Sequence, residues 1–337
     1  MDPEWEIPYS ELSFSSKKPF AKGAFSSIYR GEWRGIQVAI KVMNNEMSYV
    51  IHPELHTLTL VHHPNIVMFL GYSLKKDPET LHILKIVLVM EWMEKGHLLD
   101  YIKKQRRVPL GYHQRMKISK DIIVALNYLH QRFPTSIVHR DLKPTNCLMN
   151  ESQHCKIADF GISKEVYLLK KSKSREFHPS FSSKTKTSFE GSSSIPDERL
   201  VMNNMNHIDK SVGRVGTLRY MAPEIMNFQK GDDRRIRSSK TLDIYSFGMV
   251  LYLIWEDKEA YSDIADISEF FKRVKRGERP RFRFTPSRVR QLIRKCWNEE
   301  ASKRPFACDL MHELFMSDWK EEWRYNLFRR CLYPLVW

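Results

Sequence analysis

The chain has 337 residues and a formal charge of +15, and 42% of its residues are hydrophobic, including 18 Phe, 14 Tyr and 8 Trp. That supplies the core of one large domain or of two lobes sharing an interface, and it excludes global disorder. The longest apolar stretch, near Phe247–Trp255, falls far short of the roughly 20 residues that span a bilayer. Cys147, Cys155, Cys296, Cys308 and Cys331 lack CxxC spacing and read as reduced thiols. The N-terminal stretch lacks the apolar run of a signal peptide, Asp2 stands where myristoylation needs glycine, and the C-terminus has no prenylation box. These features predict an intracellular, cytoplasmic protein.

Residues 1–11 read as a lead-in carrying Trp5, Ile7 and Tyr9. From Leu12 to Met93 the apolar runs are short and rich in β-formers: Ser27–Arg30, Gln37–Val42, Val67–Tyr72 and Ile83–Met90. Turn residues separate them, which predicts an antiparallel sheet. One helix is expected near Pro53–Val61. From Leu98 the period changes. Ile118, Ile122, Ala125 and Leu129 recur on one helical face. Leu242–Trp255 is apolar nearly all round and predicts a buried central helix. Ile267–Lys275, Ser287–Cys296 and Ala307–Phe315 read as further helices. The fold class is therefore α+β, with a β-rich lobe (12–93), a mostly helical lobe (94–318) and an aromatic tail (319–337). Lys170–Ser194 is rich in Ser, Lys and Thr and poor in aliphatics. It cannot bury enough surface to offset its ordering entropy, so residues of about 169–208 read as a mobile insertion.

The residues that carry chemistry centre on His139-Arg140-Asp141-Leu142-Lys143-Pro144-Thr145-Asn146, with Asp159-Phe160-Gly161 beyond a short strand. Phosphoryl transfer needs a proton-accepting carboxylate, neutralising cations and metal-holding oxygens. Asp141 fits the first role and Lys143 the second. Asn146 and Asp159 fit the third, holding Mg²⁺ or Mn²⁺. Val38-Ala39-Ile40-Lys41 reads as a strand, so Lys41 shares a face with Ala39 and can grip phosphate oxygens while Ala39 packs on a base. Glu54 and Leu58 are four apart, and Glu54 is the expected ion-pair partner of Lys41. Phe20-Ala21-Lys22-Gly23-Ala24-Phe25-Ser26-Ser27-Ile28 takes the place of a phosphate-cradling loop before that strand.

Together these residues resemble the eukaryotic protein kinase family, over about residues 12–315. The resemblance implies a two-lobed fold with ATP in the cleft and phosphate transfer to hydroxyls of protein substrates. It implies adenine walls at Ala39 and Leu148, a gatekeeper at Met90, and a hinge over Glu91–Met93 whose backbone bonds adenine. Leu58, Phe69, His139 and Phe160 resemble a regulatory spine. Asp243 resembles the acid that braces the catalytic loop, and Arg304 the partner of Glu224 in Ala222-Pro223-Glu224. Gly31-Glu32-Trp33-Arg34-Gly35, Cys296-Trp297 and Lys303-Arg304-Pro305 resemble the tyrosine-kinase-like group. Lys143 and Thr217 resemble serine/threonine kinases, with Thr217 reaching toward Asp141 and Lys143.

Three features depart from the pattern: Ala21 and Ser26 at glycine positions, Pro53 beside Glu54, and 60 residues between Gly161 and Ala222. They keep open an alternative, a catalytically weak pseudokinase or scaffold that binds partners. Phosphates on Ser211 or within Lys170–Ser194 could pair with Arg140, and the bland alternative is a tolerated surface insertion. Residues 270–295 carry eleven Lys or Arg against Glu278 alone, which reads either as a solvated face or as a surface for an acidic partner. No metal-finger spacing or interleaved aromatic pattern marks a nucleic-acid interface.

Overall fold

The computed structural model describes residues 3–23, 26–43, 51–77, 79–80, 82–105, 108–161, 163–167, 218–226 and 239–316, with the side chains of 51–54 and 164–167 outside that set. The first lobe is an antiparallel sheet: β1 (Leu12–Phe14), β2 (Ala21–Lys22), β3 (Ser26–Trp33), β4 (Ile36–Met43), β5 (Phe69–Lys76) and β6 (Ile83–Glu91). Its order is β1-β3-β4-β6-β5, with β2 paired to β3. The alternation in β4 sends Val38 and Ile40 to a small core with Ile7, Leu12, Val87 and Val89. Ala39 and Lys41 consequently face the other way, as period-2 geometry requires. The lead-in is part of this lobe: Ile7 is buried, and its N–H donates to the Tyr72 carbonyl at 2.7 Å.

Helix α1 spans Ile51–Leu60, so it begins two residues before the start expected at Pro53. The first-turn N–H groups of a helix have no intrahelical acceptor, and proline removes nothing there. Leu55 and Leu58 on α1 join Phe69, Phe160 and Leu98 in the main core, which crosses between the lobes.

The second lobe holds α2 (Leu98–Lys104), α3 (Tyr112–Gln131), β7 (Thr135–Val138), β8 (Cys147–Met149), β9 (Cys155–Ile157), β10 (Lys164–Tyr167), α4 (Pro223–Met226), α5 (Thr241–Glu256), α6 (Ile267–Lys275), α7 (Ser287–Cys296) and α8 (Ala307–Met316). The ends of α6 follow from its caps. The Asp266 carboxylate accepts the N–H groups of Ser268 and Glu269 at 3.2 Å each, satisfying first-turn donors. Every residue from Leu242 to Glu256 on α5 is buried. α5 ends at Asp257 in the left-handed region (φ 55°). That residue is held by the fully buried Arg115, whose Nη1 and Nη2 donate to its two carboxylate oxygens at 2.7 and 3.0 Å. Antiparallel β10–β7 pairing (Lys164↔Val138 to Tyr167↔Thr135) fixes the chain just after Asp159-Phe160-Gly161. Among the described residues no helix is long and apolar enough to cross a membrane.

The contact of α5 with α7 depends on Gly248. A Cβ there would stand 2.7 Å from the Cys296 Cβ. Gly248→Ala is expected to cost about 1–3 kcal/mol by overpacking. Urea denaturation would measure it, and an unchanged midpoint would show that the two helices separate freely.

Candidate active site

The segment from His139 to Asn146 links β7 to β8 and is held from beneath. Asp243, in the first turn of α5 and fully buried, accepts the His139 N–H through Oδ2 and the Arg140 N–H through Oδ1, both at 2.8 Å. His130, in the last turn of α3, donates Nε2–H to Oδ2 at 2.8 Å. Burial pushes the Asp243 carboxyl up, but the hydrogen bond from His130, the nearby His139 and the backbone donors outweigh it and hold it below its ordinary value. Arg140 sits at φ 68°, a conformation that L residues adopt at a cost of order 1 kcal/mol. The Asp243 bond secures it. His139 accepts the Asp141 N–H at Nδ1 (3.3 Å), so its Nε2 carries the proton donated to the Ala158 carbonyl (3.1 Å). Its ring meets Phe160 edge-on at 5.1 Å.

Asp141 is the centre of a polar knot. Lys143 Nζ lies 2.6 Å from Oδ2, and Asn146 Nδ2 donates to the same oxygen at 3.0 Å and to the Asp141 carbonyl at 2.9 Å. A single-turn 3₁₀ segment, Pro144–Asn146, presents Asn146 for this. Both side chains of the Asp141–Lys143 pair are about one-fifth exposed. The carboxylate is therefore positioned yet reachable.

Lys41 descends from β4 and its Nζ lies 3.2 Å from Asp159 Oδ1. Asp159 faces the open cleft, with 46% of its side chain exposed, whereas Lys41 is 11% exposed. Desolvation pushes the Asp159 carboxyl up, and the Lys41 ammonium outweighs it and holds the carboxyl below its ordinary value. The backbone of Asp159 is left-handed (φ 68°). Its oxygens and the amide oxygen of Asn146 are hard donors suited to Mg²⁺ or Mn²⁺. The Asn146 amide nitrogen is spent on Asp141, which leaves its oxygen for a cation.

Ala39 pairs with Met90 across β4 and β6. Leu148, on β8, is partly exposed and pairs with Lys156. β6 leads into the hinge at Glu91–Met93. The Glu91 N–H donates to the Met68 carbonyl at 3.0 Å, and its carboxylate accepts the Met68 N–H at 2.7 Å. Lys156 on β9 reaches both Glu91 oxygens at 2.7 Å. Sequence reading missed Lys156. The signal was its outward position between buried Cys155 and Ile157.

The hairpin of β2 and β3 covers Lys41 from above. Ala21 pairs with Ile28, Lys22 with Ser27, and Ile28 with Lys41. Phe20 packs edge-on against Trp92 of the hinge at 5.0 Å. Gly23 donates its N–H to Ser26 O at 2.8 Å. Ala21 and Ser26 occupy strand positions, and neither has positive φ. Glycine's conformational freedom is not needed there. Ala24, Phe25 and Thr217, the Glu54 side chain and the insertion of about 169–208 lie outside the described residues. Glu224 accepts Arg304 at both oxygens, 2.6 and 2.9 Å, in the two-pronged geometry of a strong pair.

A sheet lobe carrying Lys41 and a helical lobe carrying Asp141, Lys143, Asn146 and Asp159, joined through Glu91–Met93, define a two-lobed architecture with a polar cleft. The protein kinase domain profile matches residues 14–316, and the chain belongs to the protein kinase family. It is similar to the serine/threonine-protein kinase VIK of Arabidopsis thaliana, 31% identical over 322 residues covering 92% of this chain and 61% of that one. The putative serine/threonine-protein kinase/receptor R826 of Acanthamoeba polyphaga mimivirus is 29% identical over 91% of this chain and 15% of its own length. The dual specificity protein kinase shkC of Dictyostelium discoideum is 28% identical over 89% and 50%. The chain thus spans about three-fifths or less of each of these relatives.

Proposed function

We propose that the chain is a serine/threonine protein kinase of the tyrosine-kinase-like group, using ATP with Mg²⁺ or Mn²⁺. The observation that carries this reading is the meeting of Lys41 with Asp159 across the cleft from the Asp141–Lys143–Asn146 knot. The names of its relatives support the Ser/Thr preference. Asp141 orients a serine or threonine hydroxyl and takes its proton as the oxygen attacks the γ-phosphorus. The bond to the β,γ-bridging oxygen breaks and ADP leaves. Lys143 neutralises charge on the transferring group, and Lys41 holds phosphate oxygens. Ala39, Met90, Leu148 and the hinge from Glu91 to Met93 receive the adenine, and residues 20–28 cover the phosphates. Asn146 and Asp159 hold the divalent cation, which supplies charge neutralisation at the phosphates.

The test is incorporation from labelled ATP into a generic protein substrate, with the modified residues mapped by mass spectrometry. The expected result is labelled serine and threonine in wild type, and a rate lower by about a hundredfold in Lys41→Met. A thermal shift with Mg²⁺-ATP should also disappear in that variant. Equal labelling by the two proteins would refute the reading. A nucleotide-induced shift without turnover would favour a scaffold.

A further inference from the structure

Four of the eleven basic residues along 270–295 line one pocket. Helix α6 ends at Gly277 (φ 72°), whose N–H bonds to the Val274 carbonyl at 3.0 Å, while the Glu278 N–H reaches the Arg273 carbonyl at 3.0 Å. This left-handed cap turns the chain back toward α7. Between the turn at 277–282 and α7 lies an open cleft of about 660 Å³, lined by Arg279, Arg281, Arg290 and Arg294 with Phe282 and Trp297. Glu299 is the one carboxylate in its wall. The floor is aromatic, with Phe282 and Trp297 stacked at 5.2 Å. The guanidiniums of Arg290 and Arg294, one helical turn apart, each lie 5.6 Å from the Phe282 ring centre.

Three properties set this pocket apart from a solvated basic face. Among the described residues, none of these four arginines forms an ion pair with a carboxylate. Arg290 donates Nη2–H to the Thr285 carbonyl at 3.0 Å, while its Nε is buried without a hydrogen-bond partner. Stacking on Phe282 restricts Arg290 and Arg294 before any ligand arrives, which lowers the entropy lost on binding.

We propose that this pocket docks a phosphorylated serine or threonine of a partner protein, at a site separate from the nucleotide cleft. A phosphate monoester offers nearly two negative charges and three acceptor oxygens, and paired guanidiniums bind such groups in a two-pronged manner. The cleft is open to solvent and larger than one phosphate. That room fits the phosphorylated residue with its chain neighbours. The arginines flank the stacked pair Phe282 and Trp297, so a phosphorylated side chain would meet both charge and an apolar floor. The excess of cations along 270–295 would speed the approach of an acidic phosphoprotein.

The experiment uses the full chain, dephosphorylated, with a non-hydrolysable ATP analogue filling the cleft. Fluorescence anisotropy then compares the peptide Ala-Gly-phosphoserine-Gly-Ala with its serine counterpart. The phosphopeptide should bind at least about tenfold tighter. Arg281 and Arg294 are both exposed, so the double variant Arg281→Glu, Arg294→Glu should fold and lose about tenfold or more in phosphopeptide affinity, with its Mg²⁺-ATP thermal shift intact. The proposal falls if the two peptides bind alike or if the double variant keeps full affinity. Inorganic phosphate binding as tightly as the peptide would reduce the pocket to an ion site. Binding to vesicles containing phosphatidylinositol phosphates, with no peptide binding, would assign it to a membrane instead. The assay reads binding and not turnover, so its failure would leave the kinase reading untouched.

Discussion

Asp243→Ala will cost about 3–5 kcal/mol of stability and abolish measurable phosphotransfer. The carboxylate satisfies three donors, the N–H groups of His139 and Arg140 and the Nε2–H of His130. Alanine accepts none of them, and all three would be left in a site where Asp243 itself has no exposure. Arg140 would also lose the bond that secures its left-handed backbone, and Asp141 follows directly. Because folding lowers the acidity constant's pKa for Asp243, its contribution is fully present above the unfolded carboxylate value and disappears as pH falls through the folded one. Urea titrations at neutral pH and at successively lower pH should therefore show wild type and variant converging in acid. A variant as stable as wild type at neutral pH would sink this account.

Asp141→Asn has a different signature: a fall in kcat of about 10²–10⁴ with little change in stability or in KM for ATP. The amide keeps the size of the carboxylate but cannot take the hydroxyl proton, and it loses its charge attraction to Lys143. That pair is partly exposed, so breaking it costs little folding energy. Steady-state kinetics with varied ATP and varied protein substrate separates the two parameters. Retention of wild-type kcat would remove Asp141 from the proton-transfer role.

Much of this site was legible because its chemistry needs fixed residue types at short spacing. The segment from His139 to Asn146 and the triplet Asp159–Gly161 could be read directly, and the alternation in β4 placed Lys41 opposite the Val38 and Ile40 face. The limits of α6 and α7 were legible too, and both helices run over the ranges read from the sequence. The start of α1 was not, since proline in a first turn is compatible with several starting residues. The clasp of Lys156 on Glu91 joins residues 65 positions apart, and no local pattern encodes such a distance. The arginine pocket was visible only as a sum of charge. The arginines are gathered by the Gly277 turn and by Phe282 stacked on Trp297, both products of packing.

The seating of the lead-in has a further consequence for the sheet. β5 is the last strand in the order β1-β3-β4-β6-β5, and such a strand offers unpaired amides to any passing chain. Here Glu6 forms a parallel bridge with Tyr72, and Ile7 takes the Tyr72 carbonyl. The approach is so close that a Cβ on Gly71 would stand 2.6 Å from the Trp5 carbonyl oxygen. The protein thus covers the middle of its own sheet margin with Glu6 and Ile7, and a barrier to strand-to-strand self-association is built into the same stretch that contributes Ile7 to the small core.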